Sequence, residues 1–584
     1  MANIGRHDEA LKAVREATSL YRTLVEHNPA AHTPDLASSL NNLANHLNNN
    51  GQQREALTTA QEAVTIRRKL AEHNPAAHTP DLAASLNNLA NHLNNNGQQR
   101  EALTTAQEAV TIRRKLAEHN PAAHTPDLAM SLNNLAIYLD GNGQPHDALQ
   151  TAQEATNLYR TLAEHNPGIY TPDLASSLIN LATYLDGNGQ PHEALQTAQE
   201  ATNLYRTLTE HNPAAYTPNL AMSLNNLATY LDGNGQPHDA LQTAQEAVTI
   251  RRKLAEHNPA AHTPDLAMSL NNLATYLDGN GQPHEALQTA QEAVTIRRKL
   301  AEHNPAAHTP DLAMSLINLA NRLADNGQPH KALTTAQEAV TIRRKLAEHN
   351  PAAHTPDLAM SLINLANRLA DNEQHHEALQ TAQEATNLYR TLAKHNPAAY
   401  TSNFAMSLHN LAIYLDSNGQ PHKALTTAQE AVTIRRKLAE HNPAAHTPDL
   451  AMSLINLANR LADNGQHHEA LQTAQEATNL YRTLAKHNPA AYTSNFAMSL
   501  NNLAIYLDSN GQQHKALTTA QEAVTIRRKL AEHNPAAHTP DLASSLKTYA
   551  NVLERSGSNK EAARIRQVRD EVLKRMKETE EGHV

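Results

Sequence analysis

The chain has 584 residues, 48 of them basic and 58 acidic, for a net charge of −10; it is 40% apolar, with no Cys, no Trp and two Phe. Absence of Cys excludes disulfides, cysteine zinc sites, iron–sulfur clusters and a thiol nucleophile. The acidic balance argues against a polyanion, so no nucleic-acid partner is expected. No run approaches the roughly eighteen consecutive apolar residues of a membrane span, so no membrane partner is expected either. The start, Met1-Ala2-Asn3-Ile4-Gly5-Arg6-His7-Asp8, lacks an apolar stretch resembling a signal peptide, and a cytoplasmic location is the expectation.

An Asn-Pro pair at Asn28-Pro29 recurs every 46 residues, twelve times, up to Asn534-Pro535, with no insertion or deletion. Self-similarity at such a period marks stacked repeats, because one unit cannot bury its apolar face alone. Residues 1–32 read as a partial repeat: Gly5 aligns with Gly51 and Gly97, so only a second helix is present. Leu11, Val14 and Ala17 of that helix are expected to be under-covered, an uncapped face open to self-association.

Residues 33–538 read as eleven full repeats. In the copy from Thr79 to His124, Thr79-Pro80-Asp81 predicts a helix start, with Thr as N-cap and Pro at the first helical position. Leu82, Leu86, Leu89, Ala90 and Leu93 follow at helical spacing, and Gly97 stands where a left-handed cap is wanted. A second helix carries Ala102, Leu103, Ala106, Ala109, Val110, Ile112 and Leu116 and ends before Asn120-Pro121. Residues 539–584 read as a capping repeat and charged tail, since Arg566 and Arg569 replace the small Ala106 and Ala109 of internal copies.

Leu86-x-x-Leu89-Ala90-x-x-Leu93, Gly97, then Ala102-x-x-x-Ala106-x-x-Ala109 resembles a tetratricopeptide repeat (TPR), most closely the kinesin-light-chain-type subgroup. The period is 46 rather than 34, which predicts a longer second helix and a longer loop after it, and Ala106 stands where an aromatic is usual. The resemblance implies an all-α, right-handed superhelical α-solenoid of antiparallel helix pairs, whose first helices line a concave groove.

Projected at 100° per residue, Ala84, Asn88, Asn91 and Asn95 form a stripe opposite the apolar face. Asn88 recurs as Asn42, Asn134, Asn180, Asn226, Asn272, Asn318, Asn364, Asn410, Asn456 and Asn502. An amide offers both donor and acceptor, so it can pair with a peptide unit whatever its side chain; this resembles the asparagine ladder of TPR proteins that bind extended peptides. A neighbouring position varies among Asn87, Ile179, Ile317, His409 and Lys547. A groove-flanking position reads His46 and His92, then Tyr138, Tyr184, Tyr230 and Tyr276, then Arg322, Arg368 and Arg460 interleaved with Tyr414 and Tyr506. Tyr and Arg often anchor interfaces.

The repeated His73…His78 spacing lacks acidic or Cys companions, so no metal is expected. Arg67-Arg68-Lys69, beside Glu62 and Glu72, reads as a solvated, ion-paired face. There is no phosphate loop, nucleophile elbow or zincin motif, so neither catalysis nor a cofactor is expected. The expected function is a non-catalytic scaffold holding a protein or extended peptide in its groove. The alternative is a regulatory array, resembling the sensor region that follows a nucleotide-switch domain in large signalling ATPases.

Overall fold

The computed structural model describes residues 2–581, and side chains from Glu9 to Arg575 apart from Ala536. The described residues form 25 α-helices in a strictly alternating hairpin series. Its opening members are α1 (Ala2–His27), α2 (Pro29–Asn49), α3 (Gln53–His73), α4 (Pro75–Asn95) and α5 (Gln99–His119). The chain is an all-α solenoid.

The 46-residue period partitions differently from the sequence expectation. Helix α4 starts at Pro75, not Thr79, so the Pro-Ala-Ala-His-Thr stretch is helical rather than loop, and Pro80 lies inside the helix. Both helices of a repeat are 21 residues long, about 32 Å each. They are joined by the three-residue turn 96–98, and each hairpin meets the next through a single residue such as Asn74. Asn74 closes α3 through its backbone N–H on the Leu70 carbonyl. Its side chain then accepts from Ala77 N to cap α4. One residue replaces a loop because Asn serves both ends and Pro75 is preset for a first turn. Pro80 forgoes one backbone bond early in the helix. The Leu and Ala spacing identified both helices; the N-terminal turn of the first was hidden by taking Pro80 as its start.

The Asn-Gly turn at the other end follows expectation. Gly97 has φ +75°, its N–H bonds the Asn94 carbonyl, and Gln98 N–H reaches back to Leu93. Asn96 adds something unanticipated: its side-chain N–H bonds the His92 carbonyl of its own helix and the Gln53 carbonyl of the preceding repeat, both at 2.9 Å. The same pair of hydrogen bonds recurs from Asn142 through Asn510. These amides stitch hairpin to hairpin.

Between hairpins the core is Ala, Leu and buried Tyr. Ala102, Ala106 and Ala109 are fully buried, which allows the close helix approach expected for small residues. The triplet Arg67-Arg68-Lys69 separates by face. Arg67 is buried and bonds Asp81 at 2.8 Å and Ser38, whereas Arg68 spans to Glu108 of the next second helix. The partners are therefore Asp81 and Glu108 rather than Glu62 and Glu72. At the N-terminal end Leu11 is buried and Val14 packs beside it, so the expected exposure there moves to Leu20 and Leu24. The charged tail beyond Arg575 lies outside the described side chains.

First helices of consecutive repeats, such as α2 and α4, approach one another at a few points, while consecutive second helices approach less closely and are bridged by long Arg–Glu pairs. The ribbon therefore curves with first helices inside. It curves far enough to meet itself. Gly51 abuts Ala306, and Gly97, Gly143, Gly189 and Gly235 abut Ala352, Ala398, Ala444 and Ala490, at a constant offset of 255 residues. A turn thus takes between five and six repeats. A Cβ on Gly143 would lie within 2.1 Å of the Ala398 backbone, so glycine is required for close approach as well as for positive φ. The Arg54 guanidinium donates to the His349 carbonyl, and Asn396 Nδ2 donates to Gln99 Oε1 at 3.0 Å across the same seam.

One repeat breaks the turn rule: Glu373 holds φ +61° where its counterparts have Gly. A left-handed non-Gly residue costs roughly 1–2 kcal/mol. Glu373→Gly should raise stability by about 1 kcal/mol, read as a higher urea midpoint with unchanged helicity.

Candidate binding groove

The concave wall is built from the face of each first helix that turns away from its hairpin partner. The Asn88 series lies on it. Asn88, Asn134, Asn180, Asn226, Asn272, Asn318, Asn364, Asn410 and Asn502 are half-buried, Asn42 is exposed and Asn456 is buried. Among these described side chains, Asn364 bonds its own helix at Met360 O and Asn456 reaches the His409 carbonyl. The other nine carry no hydrogen bond within the protein. Their amides are thus displayed along the inner wall with both functions unengaged.

The rest of the wall is more apolar than the sequence stripe suggested. Eight of the ten methionines occupy the single position of Ala84, from Met130 to Met498. Met130 and Met314 are 43% and 41% exposed, and Ile137, Ile413 and Ile505, at the position of Asn91, are similarly open. Concentration of Met at one register position is a signal that the sequence carries.

The flanking position requires correction. Tyr138, Tyr184, Tyr230 and Tyr276 are buried between repeats, Tyr138 at 1% exposure, and are not available as surface anchors. Tyr138 OH donates to Asn91 Oδ1 of the preceding repeat at 2.6 Å; Tyr230 and Tyr276 meet Thr183 and Thr229 in the same way, and Tyr414 and Tyr506 bond Asn367 and Asn459. Burial raises the pKa of these hydroxyls, to about 12 for Tyr414, so they stay neutral. Arg322, Arg368 and Arg460 are likewise turned into the wall. Arg322 pairs with Asp278 and Asp325, Arg368 with Asp371, and Arg460 with Asp416 and Asp463. A helix-wheel angle of about 40° from the groove proved to be an inter-repeat contact, because successive first helices pack on that flank.

The position of Asn87 also faces the next repeat. Asn87 is buried and donates to Ser131 Oγ at 2.7 Å, with Asn225–Ser269 and Asn271–Ser315 alike. Ile179 is buried there too, while Lys547 is exposed. His409 occupies this site between Arg435, Asp449 and Arg460. Burial, and secondarily the two guanidinium groups, lower its pKa to about 4. His73 Nδ1 lies 2.7 Å from the Lys69 carbonyl of its own helix. No helix among the described residues is long and apolar enough to cross a membrane.

Eleven successive stretches, from 36–77 to 496–537, match a family profile described as tetratricopeptide repeat, and residues 1–33 match one for anaphase-promoting complex subunit 5. The chain belongs to the tetratricopeptide repeat family. No curated protein matches significantly. Among solved structures, BtubC (BKLC) from P. vanneervenii is 21% identical, covering 42% of this chain and 90% of its own at a TM-score of 0.35. A Podosopora anserina putative kinesin light chain with nearly identical TPR-like repeats is 26% identical, covering 38% and 97% at a TM-score of 0.30. A single-substitution variant of that protein is 25% identical, covering 38% and 98% at 0.31.

Buried imidazoles generate two predictions. His92 occupies the Tyr138 position in its repeat, is 2% exposed, and neither ring nitrogen meets a partner. His92→Tyr should place a hydroxyl on Asn45, the counterpart of Asn91, and stabilise by about 1 kcal/mol in urea unfolding. His409 is neutral in the fold but takes a proton near pH 6.5 once unfolded, so the unfolded state binds more protons below that pH. Stability should be fully present above pH 6.5 and fall as pH drops towards 4, by about 2 kcal/mol at pH 5 from this residue. His409→Asn, the residue at the equivalent Asn501, should flatten that part of the pH profile.

Proposed function

We propose that this chain is a non-catalytic scaffold that holds an extended polypeptide along its concave wall. The observation that carries the reading is the row of half-buried or exposed Asn amides in nine of the eleven repeats, with no partner inside the protein. Polar groups lose hydration when a ligand covers them unless the ligand replaces their hydrogen bonds. A peptide backbone does this at every residue, and an amide can accept from its N–H and donate to its C=O. The Met and Ile rows give apolar side chains of the ligand something to pack on, and flexible Met adapts to different shapes. The tyrosines and arginines act through the scaffold: they hold successive first helices at the spacing that sets the amide row. Membership in the TPR family, whose arrays typically bind proteins or peptides, supports the same reading.

The test is the triple variant Asn226→Ala, Asn272→Ala and Asn318→Ala. A partner identified by pull-down and mass spectrometry should bind it roughly 10- to 100-fold more weakly than the parent, at about 1 kcal/mol or less per lost bond. Helicity and melting should stay the same. Unchanged affinity would remove the amide row from the mechanism.

A further inference from the structure

We infer that the inner wall is a closed, single-file channel, and that the partner it fits is a single extended, uncharged polypeptide segment with a free end. This rests on the concave-wall reading above and specifies the form of its ligand. Three observations carry it.

First, the wall is stitched shut. Five successive Gly turns press on Ala residues one superhelical turn further on, and the Arg54–His349 and Gln99–Asn396 hydrogen bonds lie along the same line. A groove closed in this way has no lateral mouth for a loop of a folded protein. Second, the bore is narrow. With five to six first helices per turn, spaced about 11 Å apart because consecutive first helices approach at only a few points, the helix axes lie on a ring of roughly 10 Å radius. Subtracting a helix radius of about 5–6 Å with side chains leaves a passage roughly 8–10 Å across. That is less than the roughly 10–12 Å diameter of an α-helix and near the roughly 10 Å thickness of one extended strand with its side chains. Third, the middle of the lining is neutral. The positions of Ala84, Asn88 and Asn91 present Asn, Met, Ile, Thr and Ser, and the aspartates at the Asn95 position, Asp325, Asp371 and Asp463, are paired with Arg322, Arg368 and Arg460. A charged segment would lose water there without gaining a counter-charge. The side chains are nonetheless solvent-accessible, as the exposure of Met314 and Ile137 shows, so the passage is open rather than a packed core.

The chain has no Cys, so single thiols can be introduced cleanly. Met314→Cys puts one on the inner wall, and Gln291→Cys puts one on an exposed outer position. Three maleimides serve as probes: N-ethylmaleimide, a linear polyethylene glycol bearing maleimide at its end, and maleimide carried on a small folded protein. Both thiols should react with the first two, the inner one more slowly with the linear polymer. The folded carrier should label Gln291→Cys but react at least roughly 100-fold more slowly with Met314→Cys. Adding Ala398→Arg and Ala444→Arg, which wedge the seam without disturbing a left-handed turn, should restore carrier labelling while circular dichroism remains helical. Comparable labelling of both thiols by the carrier, exclusion of the linear polymer, or no effect of the seam variant would each overturn the closed channel. The readout involves no ligand, so it fails or succeeds independently of the triple Asn variant.

Discussion

Every repeat depends on the bond that its neighbour completes. A helical hairpin of Ala and Leu has too little apolar surface to stand alone, and its helix ends leave orphan carbonyls. Here Asn96 and its ten-repeat series answer both problems with one side chain, binding a carbonyl at the end of its own helix and another at the start of the preceding second helix. Because each such amide spans two hairpins, the turn between helices and the junction between repeats are held in one geometry. The 46-residue register then propagates without slack, and curvature accumulates until the ribbon meets itself at Gly51 and Ala306.

The same dependence explains why substitution is confined to a few places. At the flanking position Tyr, Arg and His exchange, yet the first two solve the same task. Tyr138 bonds Asn91 and Arg460 bonds Asp416, each one repeat back. His92 leaves both ring nitrogens unmet, and His46 leaves its buried Nδ1 unmet. Charge follows the same logic on the outside. Arg22–Glu62 and Arg68–Glu108 belong to an Arg–Glu series across second helices, but Arg390 and Arg482 leave it to lie over Phe404 and Phe496. Exposed pairs of this kind are worth little individually, so exchanging a screened ion pair for a cation–π contact near an apolar ring is tolerated.

A scaffold assembled this way separates rigidity from recognition. The groups that hold repeats together (Asn96, Tyr138, Arg67 and their copies) are engaged with neighbouring repeats, whereas nine side chains of the Asn88 row carry no hydrogen bond within the protein and Met130, Met314 and Met360 are exposed. The proposed binding role draws on these groups. Sequence alone ranked Tyr and Arg as binding residues by their usual behaviour at interfaces, and the structure assigns them to packing instead.

Much was determined by the linear pattern. Periodicity at 46 residues, Leu and Ala at helical spacing, and Gly after the first helix dictate a stack of helical hairpins, because these are local rules of backbone geometry and burial. The Asn88 row was legible for the same reason: it lies at the centre of the face away from the core. Residues at its margin were not, since whether about 40° from the groove means solvent or neighbour depends on how far the next helix is rotated. The first turn of α4 was misplaced because Pro80 resembles a start signal until Asn74 is seen capping an earlier one. Closure of the wall was beyond any local reading. Gly51 and Ala306 meet only because small rotations add up over more than five repeats, and that sum is a property of the tertiary structure alone.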